Sequence, residues 1–538
     1  MVFPVVQVSV AKHWLASCQR TALNIIGFVF QPRKYSSSSF APKPPLKTIS
    51  CTTTTTTSTT PSAVTKSSSL VCDFQTTLLR TQSFFPFFML VAFEGGSPLR
   101  ALVLLLFVPF LMALGYQHEL SIRVMVFITF CGLRTRDMEM VARVVLPKFY
   151  LESLNFHAFE VMSSTRRRVV VTSLPRVMVE GFLREYLEVD EVVGSELQVV
   201  GNYYFSGLIS KFSSLDVKQR AIRDLFKENR PDVVLVSSSN PNVHLFFISH
   251  CKEIYVVNNG ASSVMPREKY PKPLIFHDGR LAFLPSPLAT FSLFLWLPLG
   301  LTLAIIRIAT GIALPYELIY IVSAVTGIHL RVQSDNHKYK SIKRKGILYV
   351  CNHKTLLDPV MVSTALGKKV TAVTYSLSKL SEIIAPMRTV RLTRNRETDF
   401  DTMKEVLTEG DVIVCPEGTT CREPYVLRFS SLFARLTDDI TPVAVGVRVC
   451  MLHGTTASGR KWLDPILFMM NPTAEYCVKF LESVPAELTC AGGCSELEVA
   501  NRVQRQLGDA LGFECTGMTR KDKYLMLAGH EGLVKQTK

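Results

Sequence analysis

Apolar positions in this chain fall into runs of two lengths, and each length predicts a different kind of element. Short apolar runs at 168–173, 191–193 and 232–237 alternate with the helical patterns 177–186 and 217–229. The same alternation returns at 346–350, 370–375, 389–392, 412–415 and 441–447, with a helix over 398–409 that Gly410 would stop. Buried strands alternating with helices predict a parallel α/β layer, here twice. No internal repeat links the two regions.

Other apolar runs are too long for strands. Residues 288–306 are uncharged and are followed, after Arg307, by 308–314 and 318–328. Since about twenty apolar residues cross a bilayer core, this predicts a membrane hairpin turning near Pro315-Tyr316, or one span plus an interfacial helix. Residues 84–114 are apolar but broken by Glu94-Gly95-Gly96 and Arg100. The uncharged piece 101–115 is short for a crossing, so a re-entrant or interfacial helix suits it as well as a tilted span that includes 84–93.

The first 68 residues differ again. No Asp or Glu precedes Asp73, whereas Lys12, Arg20, Arg33, Lys34, Lys43, Lys47 and Lys66 do, and hydroxyl-rich tracts occupy 36–39 and 52–57. An acid-free, basic, Ser/Thr-rich leader has the composition of an organelle transit peptide, mitochondrial rather than plastid, or of a disordered tail. The expected organisation is a leader at 1–68, one α/β domain at 69–280 with an apolar helical insertion near 84–115, a membrane hairpin at 281–328 and a second α/β domain at 329–538. The fold class is α/β, with membrane helices between and beside the two domains.

Composition sharpens this picture. A chain of 538 residues is long enough for two sizeable cores, and 33 Phe with only 19% charged residues suit membrane contact. The formal charge of +16 favours phosphate-bearing ligands or an anionic lipid surface. Nucleic acid is not expected as a partner, because no helix-turn-helix, zinc-finger or aromatic RNA-binding pattern accompanies the charge. Thirteen Cys without a Cys-x-x-Cys pair do not form a secreted disulfide framework, and no metal site is expected.

The densest chemistry lies in Asn352-His353-Lys354-Thr355-Leu356-Leu357-Asp358-Pro359 and, later, Pro416-Glu417-Gly418-Thr419. At about 100° per residue, a His and an Asp five positions apart would sit roughly 140° apart on a helix, so the backbone between them must turn. With 346–350 as a strand, Pro359 at a helix start and Gly367 at its end, His353 would leave the strand with Asp358 folded back on it. That is an imidazole base oriented by a carboxylate. Asp358 before Pro359 also suits helix capping, and a His at a strand end also suits a structural role. Arg388, Arg391, Arg394 and Arg396 cluster at the end of another strand, where guanidinium forks match phosphate oxygens or form a solvated face.

Asn-His-x4-Asp followed by Pro-Glu-Gly-Thr resembles the glycerolipid acyltransferases, and the wider match over 371–396 and 416–429 resembles the plant membrane-bound glycerol-3-phosphate acyltransferases. The resemblance implies an enzyme that transfers an acyl group from acyl-CoA to glycerol-3-phosphate, giving lysophosphatidic acid, with no cofactor beyond acyl-CoA as co-substrate. It implies His353 and Asp358 as the catalytic pair. Asn352 would position a backbone loop or bond the oxyanion. Arg391 and Arg394 would hold the acceptor phosphate, with Glu417, Gly418 and Thr419 contributing to acceptor binding and Arg428 close by. A fourth block at 440–445 would line the acyl side. Acylation of a lysolipid and a non-catalytic membrane scaffold are the alternatives. An integral, multi-pass protein of a mitochondrial or endoplasmic reticulum membrane is expected.

Val71-Cys72-Asp73-Phe74-Gln75-Thr76-Thr77-Leu78 resembles the opening phrase of the haloacid-dehalogenase-like phosphatases, a domain that some of these plant enzymes carry. In that chemistry one Asp is phosphorylated and a second is the acid/base. Gln75 stands in the second position, and 239–244, where metal-binding acids would fall, contains none. The resemblance therefore implies a degenerate phosphatase motif at Asp73 and Gln75, with Thr172-Ser173 keeping the hydroxyl position.

Overall fold

The computed structural model describes residues 69–530, apart from 82, 117, 212–214, 227–230, 238–252, 258–263, 335–345, 376 and 458. The leader at 1–68 and the segment 239–244 lie outside the described residues. The chain divides into two compact units. The described residues up to Pro273 with Leu284–Leu288 form the first, and Leu274–Phe283 with the residues from Ala289 onward form the second.

The first unit is built on a six-stranded sheet of β1 (Ser69–Asp73), β2 (Arg167–Pro175), β3 (Glu191–Val200), β4 (Tyr204–Lys211), β5 (Val233–Ser237) and β6 (Glu253–Val257), in the order β4-β3-β2-β1-β5-β6. All pairs are parallel except β3 with β4. Val71, Val169, Val171, Val234 and Val236 fill one face against Ile222 and Phe226. The expected strands and helices of this region are present, and β1, β4 and β6 join them.

The apolar run 84–114 is not one helix. It breaks into Phe85–Leu90, the π-helical turn Val91–Gly96, then Pro98–Leu106 and Val108–Leu114. Ser97 and Phe107 are the breaks, and a Pro stands in the first turn of the helix after each, Pro98 and Pro109, where a missing N–H costs nothing. The first piece is core: Phe85, Phe87, Phe88 and Met89 are fully buried. A tilted crossing through 84–114 is therefore replaced by three short helices.

The second unit contains, from Ala289 onward, the one described helix long and apolar enough to cross a membrane, Pro287–Ala313. One stripe of it is docked on the unit. Leu293, Gly300, Ala304 and Arg307 are buried at helical spacing, and Trp296 donates its indole N–H to the Met470 carbonyl at 2.7 Å. Its other faces are apolar and bare, with Leu295, Leu299 and Ile305 about 60% exposed. Arg307 lies inside the expected apolar run yet is buried because its guanidinium bonds the carbonyls of Met469, Asn471 and Thr326. These carbonyls belong to helix C-terminal ends, where a cation is favourable. The second limb of the expected hairpin, Tyr316–Val325, has ten residues, or about 15 Å, half the bilayer core. The multi-pass arrangement expected from the sequence thus finds no support among the described residues.

Beyond these helices, β7 (Ile328–Ser334), β8 (Leu348–Cys351), β9 (Thr371–Thr374), β10 (Thr389–Arg391), β11 (Val412–Val414), β13 (Ile440–Val449) and β14 (Ala474–Phe480) form a seven-stranded sheet, order β10-β9-β11-β8-β13-β14-β7. The short strands β12 (Tyr425–Val426) and β15 (Glu514–Cys515) pair separately. In the main sheet only β13 with β14 is antiparallel. Side chains alternate across the sheet with a period of two. Leu348, Val350, Val412 and Val414 face Val499, Val503 and Leu507 of the Glu496–Leu511 helix, while Tyr349, Cys351 and Ile413 face Met361, Val362 and Phe468. Both faces of the central strands are covered, as parallel strands require, and β8 and β11 lie side by side with their carboxyl ends together.

Candidate active site

Asn352-His353 leaves β8, and Pro416-Glu417 leaves β11. Carboxyl ends of central parallel strands are where open α/β sheets hold their ligands. After His353 the chain turns through Lys354 to Leu357 and enters the Asp358–Leu366 helix, with Pro359 in its first turn and Gly367 closing it in the left-handed conformation at φ 64°. The turn folds Asp358 back, so that His353 Nδ1 lies 3.0 Å from Asp358 Oδ2.

Asp358 is fully buried and accepts in every contact. Oδ2 also takes the backbone N–H groups of Lys354 (2.5 Å) and Thr355 (2.9 Å), and Oδ1 takes the Thr355 hydroxyl at 3.0 Å. A carboxylate that only accepts requires the proton on His353 Nδ1, which leaves Nε2 as the acceptor nitrogen. Burial disfavours a charged His353 ring, but neighbouring Cys415 and Asp358 outweigh it and hold the imidazole well above its ordinary value. The Cys415 contribution needs a thiolate. The bond to Cys351, Sγ to Sγ 3.3 Å, together with burial, instead pushes the Cys415 thiol well up. At neutral pH, Asp358 therefore remains as the main favourable charge on the ring.

Glu417 is the second support of the His353 loop. Its Oε1 accepts the His353 backbone N–H at 2.7 Å and its Oε2 that of Leu427 at 3.1 Å, so one carboxylate ties the β8 exit to the segment after β12. It is buried, and burial raises it to about 7. Asn352 is equally committed: its amide donates to Val445 O at 2.9 Å and accepts from Val445 N at 2.7 Å. Of the two roles expected for Asn352, this is the backbone brace. Neither Glu417 nor Asn352 lines the cavity into which His353 opens.

That cavity has a volume of about 240 Å³. Its apolar wall includes Ile308, Gly311 and Ile319 from the two apolar helices, with Ile328, Leu330, Leu356 and Met361; its polar wall includes Cys415, Gly418, Thr419, Thr420, Thr455, Thr456, Lys461 and Lys523. Gly418 sits at φ 63°, which favours glycine, and its N–H bonds Cys415 O at 3.1 Å, closing a tight turn. The block at 440–445 supplies β13, which is buried in the sheet and does not line the cavity.

The arginine cluster lies apart from the lining. Arg391 donates twice to Glu382 Oε1, at 3.1 and 2.7 Å, and once to Leu377 O. Arg394 has φ 70°, is exposed, and lies over the Tyr375 ring at 5.9 Å. Arg388 and Arg396 pair with Glu409 and Glu496, and Arg428 is exposed. The structure thus brings His353, Gly418 and Thr419 to one cavity and leaves Arg391, Arg394 and Arg428 off its wall.

Sequence reasoning missed two further parts, and it placed Arg422 beside Pro416–Thr419 without assigning what it holds. Leu274–Phe283 groups with the second unit, where Asp278 accepts from Thr456 and Ala457 and His277 lies 3.0 Å from Glu423. Arg422 donates to the Thr455 hydroxyl at 2.9 Å and so fixes one stretch of the polar wall. Lys461 and Lys523 supply cations to that wall; neither sits in a recognisable phrase, so no local signal marked them.

In the first unit, Asp73 ends β1 and caps the turn Phe74–Leu78, with Oδ1 accepting the N–H groups of Gln75 (3.1 Å) and Thr76 (3.0 Å). The Gln75 amide donates to the Thr172 hydroxyl. Asp73, Gln75 and Thr172 therefore do meet at strand ends, as the phosphatase-like phrase implies.

Comparison with known proteins bears on both units. Residues 69–257 match the family model described as glycerol-3-phosphate acyltransferase RAM2-like, HAD-like domain, and residues 330–448 match the acyltransferase model. Glycerol-3-phosphate acyltransferase 1 of Arabidopsis thaliana is 53% identical over 482 residues, covering 86% of this chain and 82% of that protein. The chain belongs to the plant glycerol-3-phosphate acyltransferase family. Another relative in the family, glycerol-3-phosphate acyltransferase RAM2 of Petunia hybrida, is 46% identical across 85% of this chain and 96% of its own length. Among solved structures, the 1-acyl-sn-glycerophosphate acyltransferase PlsC of Thermotoga maritima aligns over 41% of this chain and 87% of its own, at 18% identity and a TM-score of 0.27. The acyltransferase match ends before Lys461 and Lys523, whereas every site residue expected from the sequence in that domain falls inside it.

Proposed function

We propose that this family member transfers an acyl group from acyl-CoA to a hydroxyl of glycerol-3-phosphate and releases lysophosphatidic acid. The supporting observation is the His353–Asp358 pair at 3.0 Å in the wall of a cavity with one apolar and one cationic side. His353 Nε2 takes the hydroxyl proton as the oxygen attacks the thioester, and Asp358 stabilises the imidazolium that forms. As the tetrahedral intermediate collapses, the proton passes to the leaving CoA thiolate. The acyl chain lies among Ile308, Ile319, Ile328 and Leu330. No further cofactor enters this scheme.

The protein works at a membrane. A helix with one docked stripe and the rest apolar and bare needs lipid around it, since soluble proteins rarely expose so large an apolar patch. The first unit does not hydrolyse the product, because Gln75 cannot serve as the acid/base that the phosphatase reaction needs.

The deciding assay uses purified full-length protein in detergent, labelled glycerol-3-phosphate, Mg²⁺ and a panel of acyl-CoAs, with products separated by class and position. Lysophosphatidic acid is the expected end product. Turnover only with a lysolipid acceptor would overturn the acceptor assignment.

A further inference from the structure

We propose that Lys461 and Lys523 form a subsite for a phosphate monoester, the phosphate of the acceptor, at the polar end of the cavity that holds His353. This rests on the acyl-transfer reading above. Lys461 opens the turn Lys461–Leu463 and Lys523 lies in the Arg520–Ala528 helix, which a capping box on Thr519 starts firmly. Both side chains line the same cavity as His353 and Thr419.

Lys523 is 7% exposed, yet among the described residues it faces no carboxylate at bonding distance. Its Nζ donates to the Thr420 carbonyl at 2.5 Å and to the Thr420 hydroxyl at 3.1 Å. An ammonium has three donors, so one remains for a ligand. Lys461 Nζ donates to the Tyr524 hydroxyl at 2.6 Å, which ties it to the residue next to Lys523 in the same helix. Burial lowers Lys523 to about 8, and the nearby cations Arg422 and Lys461 add to this, whereas Asp278 opposes it. A dianion placed between the two ammonium groups offsets both the burial and the mutual repulsion.

The position relative to the base is also fixed. Thr420, which holds Lys523, precedes Cys421, whose N–H bonds the His353 carbonyl at 2.8 Å. Lys523 is thus connected to His353 by two hydrogen bonds and one peptide unit. Among the described residues, the one carboxylate on this lining is Asp464, which Arg280 neutralises at 2.7 Å. The other lining cation, Arg307, is committed to backbone carbonyls. Arg391 is committed to Glu382, so the two lysines are the cations that the cavity presents to a phosphate.

The test compares full-length Lys461→Gln and Lys523→Met with wild type in detergent, after a melting curve confirms folding. KM is measured separately for glycerol-3-phosphate and for palmitoyl-CoA, with glycerol as a phosphate-free acceptor and the 3′-dephospho form of palmitoyl-CoA as an alternative donor. Loss of one charged hydrogen bond corresponds to roughly tenfold to a hundredfold in binding. The glycerol-3-phosphate KM should rise by that factor, the donor KM and kcat should stay near wild type, and the slow acylation of glycerol should not change. Lys461→Arg should recover most of the loss. An unchanged glycerol-3-phosphate KM in Lys461→Gln, which is partly exposed and tolerant of change, overturns the proposal. So does a raised donor KM that disappears with the 3′-dephospho donor, since the lysines would then hold the CoA phosphate. Failure of the base assignment reads differently: His353→Ala would keep its turnover whatever these KM ratios are.

Discussion

Three side chains around the imidazole make separate predictions. His353→Ala should lower kcat by about 10² to 10⁴, the usual contribution of a positioned base. Asp358→Asn should be nearly as severe, because an amide can present its NH₂ to Nδ1 and so select the wrong tautomer. Cys415→Ala should keep turnover within a few-fold of wild type and trap no acyl-protein under acid quench, because a thiol held protonated beside Cys351 is a poor nucleophile. An acid-stable acyl adduct on wild type that vanishes in Cys415→Ala would instead make the reaction covalent. Glu417 carries a pH signature. Its folded value of about 7 exceeds the ordinary 4.5, so the folded state binds the extra proton. Its contribution to stability is full below about pH 4.5 and is lost as pH rises through about 7. Melting temperatures from pH 5 to 8 should therefore fall less steeply in Glu417→Gln than in wild type.

At the scale of elements, the strands and helices next to His353 were legible because each is specified locally: a short apolar run, Pro359 to start a helix, Gly367 to end it. The two strands at the far edge were not. Ile328–Ser334 reads as the tail of an apolar run, and it becomes a strand only through pairing with Ala474–Phe480, which is remote in sequence. The His353–Asp358 pair was legible for the same reason as the helix, since six consecutive residues contain it. Lys461 and Lys523 were hidden because the folding of a distant C-terminal helix, not spacing, brings them together. The seam between the apolar helices and the sheet depends on Gly327, with φ 96° and the Pro472 carbonyl where a Cβ would stand. Gly327→Ala should cost roughly 2 to 5 kcal/mol, from left-handed backbone and overpacking combined. A melting temperature within a degree of wild type would remove Gly327 from that seam.

For the whole molecule, two behaviours should appear together. The protein should stay with the membrane pellet in both high salt and alkaline carbonate, because insertion of the Pro287–Ala313 helix is indifferent to screening. Release by salt alone would reduce the attachment to surface charge. Labelled product should also remain phosphorylated with Mg²⁺ present. Monoacylglycerol that disappears in Asp73→Asn would show a working phosphatase unit despite Gln75. The α/β plan of both units was visible in the alternation of short runs, whereas the number of crossings was not, because Arg307 and the ten-residue Tyr316–Val325 helix are intelligible only in the folded structure.

On the membrane reading proposed above, the docked helix also makes the surrounding amphiphile part of the enzyme. Ile308 and Gly311 belong to the helix whose outer faces are bare, and they form part of the wall against which an acyl chain would rest. Trp296 and Arg307 fasten that helix to the 469–471 backbone, so it moves with the wall. Chain-length selectivity is then a joint property of protein and solvent. Kinetics in a short-chain detergent, in a long-chain detergent and in a lipid nanodisc should rank the same acyl donors differently, with the same sequence in the tube.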